Sequence, residues 1–382
     1  MLPLLQWDND GCGGHAICCR QMKLRGLVIF TLGLTCIFPL RASDPLIAWT
    51  TDAVILDPGF SSWARMVQLA DGSWLAAYTL TANPTVIRVK RSFDSMRTWT
   101  WITDVSETNR NLDNANLGMR ADGVILLAVR SISSITNGSY YIEIYESMDS
   151  GNSFQYLSQV DWDHGTGGVF EPFLWVQPDG EIFCFYASET HRLETPAYAQ
   201  TLSEKVSSDG GQIWGPEILA IAQAGGARAG EGNIVRISGS VLALFFEMCG
   251  TENCIGNVTY SSDGVTWPAI SQPLPDTFED VQAVRMQNGL IFATSNIPRI
   301  IVSADVGNTW TRVPQWPFIY GSWPALYQTS PNEIAMVVTG GGDQGQAGEY
   351  IKFGTVNLDA LSTLIPVTTC MPPTLGMPQN CH

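Results

Sequence analysis

The chain has 382 residues, enough to bury a sizeable core in one closed domain or two ordinary ones. Its net charge is -16, with only 20 Lys and Arg, which argues against a duplex or RNA ligand and against an anionic membrane surface. A neutral ligand, held by hydrogen bonds and aromatic faces, fits that balance.

The first 42 residues read as an upstream extension followed by an export signal or anchor. Met22-Lys23-Leu24-Arg25 is a short basic segment, and Gly26 to Leu40 is an apolar run too short to favour a bilayer span. Met22 would then be the working start, and the mature chain would be secreted. Five cysteines remain beyond that point. Cys249 and Cys254 bracket one loop, Cys370 and Cys381 bracket the Pro-rich tail, and Cys184 is left as a buried thiol. Two local disulfides suit an oxidising compartment. Asn137-Gly138-Ser139 and Asn257-Val258-Thr259 are glycosylation sequons.

From residue 43 to 361 the chain alternates strand, tight turn and strand. Arg65 to Leu69 turns at Asp71-Gly72 into Trp74 to Tyr78. Asn116 to Arg120 turns at Asp122-Gly123 into Val124 to Arg130. Val169 to Val176 turns at Asp179-Gly180 into Ile182 to Tyr186. Asn233 to Ile237 turns at Ser238-Gly239 into Val241 to Glu247. Asp280 to Arg285 turns at Asn288-Gly289 into Leu290 to Thr294, and Trp323 to Tyr327 turns near Pro331-Asn332 into Ile334 to Val338. This recurrence predicts an all-β fold, a six-bladed β-propeller of four-stranded antiparallel blades. Tyr350 to Val356 would pair with Ala53 to Leu56 and close the ring. Residues 362–382 would form an outer strap, and the protein would be a monomer.

A second signature falls between the hairpins. Its copies are Ser92 to Trp99, Ser147 to Phe154, Ser207 to Trp214, Ser261 to Trp267 and Ser303 to Trp310. In this pattern an Asp can accept backbone N–H bonds while Gly permits a left-handed turn. The pattern Ser-x-Asp-x-Gly-x-Thr-Trp resembles the Asp-box of sialidases and related propellers. That likeness bears on fold, since enzymes and non-catalytic propellers share it.

Phe170-Glu171-Pro172-Phe173-Leu174 and Val241 to Glu247 resemble segments of the fungal exo-1,5-α-L-arabinanases of glycoside hydrolase family 93. The resemblance implies a retaining exo-glycosidase that releases arabinobiose from linear arabinan. It implies Glu171 and Glu247 as catalytic carboxylates and Tyr320 as a residue that tunes one of them. Ala227 to Gly232 departs from the family pattern before the second glutamate strand, which leaves room for changed specificity.

Topology supports the pairing independently. Glu171 begins a first strand and Glu247 ends a second strand, so both belong on one rim. Hydrolysis with retention needs one carboxyl as acid/base and one as nucleophile, about 5 Å apart. The expected assignment is Glu171 as acid/base and Glu247 as nucleophile. Asp280 holds in the fifth hairpin the place of Glu171 in the third and is the rival carboxylate. Arg65 and Arg130 are candidate donors to sugar hydroxyls, or partners of rim acids. Tyr320 and Trp323, before the sixth hairpin, are candidates for a sugar platform or for packing in the channel mouth, and His164, just before the Glu171 loop, is a candidate for substrate contact or for pairing with a rim acid. The four histidines have no metal-site spacing, and no cofactor motif is present. The rival readings are a sialidase, although its Arg-Ile-Pro entry is replaced here by Ala64-Arg65-Met66-Val67, and a non-catalytic glycan-binding propeller.

Overall fold

The computed structural model describes residues 44–363 and 366–367, except 136–137, 251–253, 270, 297–298 and 342–344. The expected leader, the Asn137 sequon and the expected Cys370–Cys381 pairing lie outside the described residues. In chain order the strands are β1 (Ile47–Trp49), β2 (Val54–Asp57), β3 (Ser61–Gln68), β4 (Trp74–Leu80), β5 (Val86–Ser92), β6 (Thr100–Val105), β7 (Arg110–Met119), β8 (Ile125–Ser133), β9 (Tyr140–Ser147) and β10 (Gln155–Trp162). Then come β11 (Val169–Val176), β12 (Ile182–Ser188), β13 (Tyr198–Ser207), β14 (Ile218–Ile221), β15 (Gly225–Ser238), β16 (Val241–Cys249), β17 (Ile255–Ser261) and β18 (Gln272–Pro273). The last are β19 (Gln282–Arg285), β20 (Ile291–Ser295), β21 (Arg299–Ser303), β22 (Trp310–Val313), β23 (Ser322–Ser330), β24 (Glu333–Thr339), β25 (Glu349–Val356) and β26 (Pro366–Val367).

The all-β propeller is present, but the prediction of six four-stranded blades is overturned by the sheet pairing. Among the described residues there are four small antiparallel sheets: β3–β6, β7–β10, β19–β22 with β26, and β23–β25 with β1 and β2. The stretch β11–β18 forms one eight-stranded sheet instead. Its two halves join where β13 and β15 run parallel, with Tyr198 opposite Gly225 and Gln200 opposite Arg228. The cause is the length of β15, whose glycine-rich start runs beyond its own hairpin and meets the edge of β13.

The predicted hairpins are observed as β3–β4, β7–β8, β11–β12, β15–β16, β19–β20 and β23–β24. Their second strands are buried on both faces; every residue of β12 and of β20 is buried. Such strands read as unbroken apolar runs because a neighbouring sheet covers each face. The core is correspondingly distributed between neighbours. Phe183, Phe185, Leu244 and Phe246 fill one such layer, and Phe245, Ile291, Ile301 and Trp310 another. Full burial of side chains this size stabilises by about 1.5–3 kcal/mol each relative to exposure.

Ring closure follows the expected pairing: β2 and β1 both add to β25, with Val54 opposite Ile351 and Ile47 opposite Val356. The five Asp-boxes sit between third and fourth strands. In one, Asp305 accepts from the Thr309 amide at 2.8 Å and Ser303 Oγ accepts from the Gly307 amide at 2.8 Å. Trp310 then packs at 2% exposure. Cys249 and Cys254 form a disulfide, and Cys184 is free and buried. Asn257 lies buried inside β17 at 5% exposure, so its sequon is not open to glycosylation in the folded chain.

Glu204 in β13 and Glu349 in β25 are fully buried third-strand carboxyls. Glu204 accepts from Trp267 Nε1 at 2.9 Å and Glu349 from Thr339 Oγ1 at 2.8 Å. Burial pushes each up to about 8. Because the folded values lie above the unfolded 4.5, their contribution is complete below that pH and is lost as pH rises through about 8. Thermal melting should therefore give a highest Tm on the acid side of neutral and a fall through about pH 8, and Glu204→Gln should flatten the fall. A Tm that climbs with pH over that range would contradict these burials.

Candidate active site

The same backbone distortion recurs near the start of each first strand. Trp63, Asn114, Glu171, Glu231, Asp280 and Trp323 all have left-handed φ, between 49° and 65°. In β3, β7, β11, β15 and β23 this residue sits inside a register shift, a β-bulge. Left-handed φ in a residue other than Gly costs about 1–3 kcal/mol, so surrounding bonds must hold it. For four of the six the preceding hairpin supplies one. The Trp63 amide donates to Thr339 Oγ1 at 3.0 Å, and the Trp323 amide to Asn296 Oδ1 at 2.9 Å. The Asp280 amide donates to Glu247 Oε2 at 2.9 Å. At β15 the preceding hairpin offers Ala187 opposite Phe170, which has no polar side chain. There the Glu231 amide donates to Glu171 Oε2 at 3.2 Å.

Four carboxyl groups converge by this route: Glu171, Glu231, Asp280 and Glu247. One oxygen from each of Glu231, Glu247 and Asp280 lies within 4.8 Å of the others. A Cβ built on Gly230 would stand 2.9 Å from Glu171 Oε2 and 3.2 Å from Glu247 Oε1. Those two oxygens are therefore no more than about 6 Å apart, on the scale of a retaining pair. Gly230 is needed here because a side chain would fill the space between the two acids.

Burial, then the negative charge of Asp280, pushes Glu171 up to about 7, while Arg130, the Glu231 amide and Arg228 pull it down. Burial, then Glu171, pushes Glu247 up to about 8 against the Asp280 amide. Burial and Asp280 hold Glu231 well above the usual carboxylate range. Both arginines are anchored: Arg130 grips Asp113 through two bonds of 2.6 Å, and Arg228 Nη2 donates to Glu189 Oε1 at 2.7 Å.

The other expected residues are placed as follows. Asp280 shares the bulge position and joins the cluster. Arg130 borders Glu171, tied to an acid. Arg65 is only 4% exposed; it donates to the carbonyls of Ala64 and Trp323, both at 3.1 Å, and lies over Trp63. Trp323 takes the sixth bulge and packs on Trp63 at 5.7 Å. Tyr320 is 60% exposed and lines a separate cleft of about 610 Å³ with Ile319, Gly321, Ser322 and Thr339, which none of the four carboxyls lines. His164 bonds Asp161 at 3.0 Å and stacks on Trp162, beside a cavity of about 330 Å³ bordered by Asp163, Gly165 and Phe170. Glu231 was missed. A count would have found it: Trp63, Asn114, Glu171 and Asp280 each precede a turn glycine by nine residues, and Glu231 precedes Gly239 by eight.

Glu231, Glu247 and Asp280 form a set of three hard oxygen donors compatible with a divalent cation. The Glu247, Cys249 and Cys254 grouping offers no thiolates, since both sulfurs are in the disulfide.

No family model matches the chain, and no curated protein matches it. Solved structures do. An α-L-arabinanase of Penicillium chrysogenum, complexed with arabinobiose, superposes with a TM-score of 0.68 at 21% identity over 82% of this chain and 97% of that one. The family 93 α-L-arabinofuranosidase of Fusarium graminearum with arabinobiose gives 0.66 at 18% identity, over 84% and 98%. The NanB sialidase of Streptococcus pneumoniae gives 0.59 at 10% identity, over 83% and 71%. The fold is thus a propeller of the sialidase-like kind that family 93 glycoside hydrolases share.

Replacement of Gly230 by Ala should displace Glu171 or Glu247 and lower turnover at least about tenfold while the cooperative melt persists. Wild-type kcat in Gly230→Ala would contradict the packing described between the two acids.

Proposed function

We propose that the protein is a secreted, monomeric, retaining exo-glycosidase acting on linear α-1,5-L-arabinan and releasing arabinobiose. The observation that carries this reading is the approach of Glu171 Oε2 and Glu247 Oε1 around Gly230. Substrate class rests on the two arabinobiose-bound relatives of the fold. The Cys249–Cys254 disulfide supports an oxidising destination. Residues 1–42 would be leader, 43–361 the catalytic propeller and 362–382 the strap.

The charges around the pair favour the reverse of the roles expected from sequence. Arg130 and Arg228 bias Glu171 toward the carboxylate, so Glu171 is the better nucleophile. Burial and the neighbouring Glu171 favour the protonated form of Glu247, which makes it the better acid. In the first step Glu247 gives its proton to the glycosidic oxygen while Glu171 Oε attacks the anomeric carbon. The C–O bond to the leaving sugar breaks and an arabinosyl ester forms. In the second step the Glu247 carboxylate takes a proton from water, whose oxygen displaces Glu171.

A sialidase reading would want arginines converging on a carboxylate. Arg236 instead bonds the turn carbonyl of Gly239 and Gln177 Oε1, and Arg65 serves backbone carbonyls. A neutral sugar fits better.

Product analysis on linear and branched arabinan, with a sialyl control, should yield arabinobiose from the linear polymer and nothing from the control. Glu171→Gln and Glu247→Gln should each remove at least about a hundredfold of kcat with an unchanged melt. Either variant at full activity would remove that residue from the mechanism.

A further inference from the structure

Retaining hydrolysis needs two carboxyls, and this site holds four. Glu231 and Asp280 are each only 4% exposed, and Glu231 Oε2 has no hydrogen-bond partner. The charged groups that act most strongly on Glu231 are Asp280 ahead of β19, Glu171 on β11 and Glu247 on β16, all acidic. Glu279 faces Glu247 from the same side. The nearby cations, Arg130 on β8 and Arg228 on β15, act on Glu171 and are already bound to Asp113 and Glu189. Buried carboxyls at this separation cannot all ionise, so a proton stays between them.

We propose that Glu231 is a positioning residue: it remains a neutral acid and donates its proton to Asp280, so that the pair carries one negative charge instead of two. The assignment rests on Glu171 and Glu247 being the working pair. Its geometric basis is that the amides holding that pair belong to these same two residues. Glu231 N–H grips Glu171 and Asp280 N–H grips Glu247. One oxygen of Glu231 and one of Asp280 lie within 4.8 Å of each other, so the proposed bond between these side chains would tie the two amides together and set the separation of the catalytic oxygens. It also spares Glu171 a second adjacent anion, which would draw a proton onto the nucleophile.

Two measurements on the whole chain test this. Infrared difference spectra at neutral pH should contain a buried protonated-carboxyl C=O component in wild type that is missing in Glu231→Gln. In pH profiles of kcat/KM on an arabinan oligosaccharide, Glu231→Gln should leave both limbs in place, because one neutral group replaces another. Asp280→Asn should move both limbs down by about one unit, because removing a negative charge makes its neighbours easier to ionise. A Glu231→Gln spectrum identical to wild type overturns the proposal. So does a downward move of both limbs in Glu231→Gln, which would mean that Glu231 is ionised. Loss of the infrared component in a protein that hydrolyses no arabinan would uphold the proton assignment and sink the arabinanase reading instead.

Discussion

A buried backbone amide in a left-handed bulge needs an acceptor, and at four of the six bulges the neighbouring hairpin provides it. Thr339, Asn296 and Glu247 do so for Trp63, Trp323 and Asp280. Where Ala187 cannot, Glu171 takes the place and accepts from Glu231. An unmet amide there would cost about 1–3 kcal/mol, so the acceptor is a condition of the fold before it is a feature of any site. The proposed catalytic chemistry is then built on scaffold positions. Thr339, Asn296 and Glu247 do one structural job; only Glu247 adds an ionisable group.

The same bond carries an electrostatic consequence. Burial raises the proton affinity of Glu171 and Glu247, while the amide each accepts from lowers it. Arg130 and Arg228 break the symmetry by acting on Glu171. Two chemically identical side chains thereby stand in different surroundings, as the proposed division into acid and nucleophile requires.

Much of this was legible in the residues. Asp-Gly and Asn-Gly turns between apolar runs marked the hairpins, and the Ser-x-Asp repeats marked the outer turns. The two glutamates could be placed on one rim by strand direction alone. The division into sheets was not legible, because the parallel contact at Gln200 and Arg228 depends on how far the start of β15 overruns its hairpin. Glu231 escaped because it stands among small residues, Gly230 and Gly232, which read as a loop and not as a bulge. Arg65 escaped in the other direction: a cation at a strand start reads as a rim donor, and the bulge at Trp63 turns it beneath the rim. Tyr320 was placed by family likeness and by its position before the sixth hairpin, and its side chain opens on a different cleft.

The central claim is that Glu171 and Glu247 act on one anomeric carbon as nucleophile and acid. Proton NMR of the first product released from a linear arabinan oligosaccharide, recorded before mutarotation, tests it most directly. The account predicts that the new reducing end retains the substrate's α configuration. A β product would mean direct attack by water, and would contradict it.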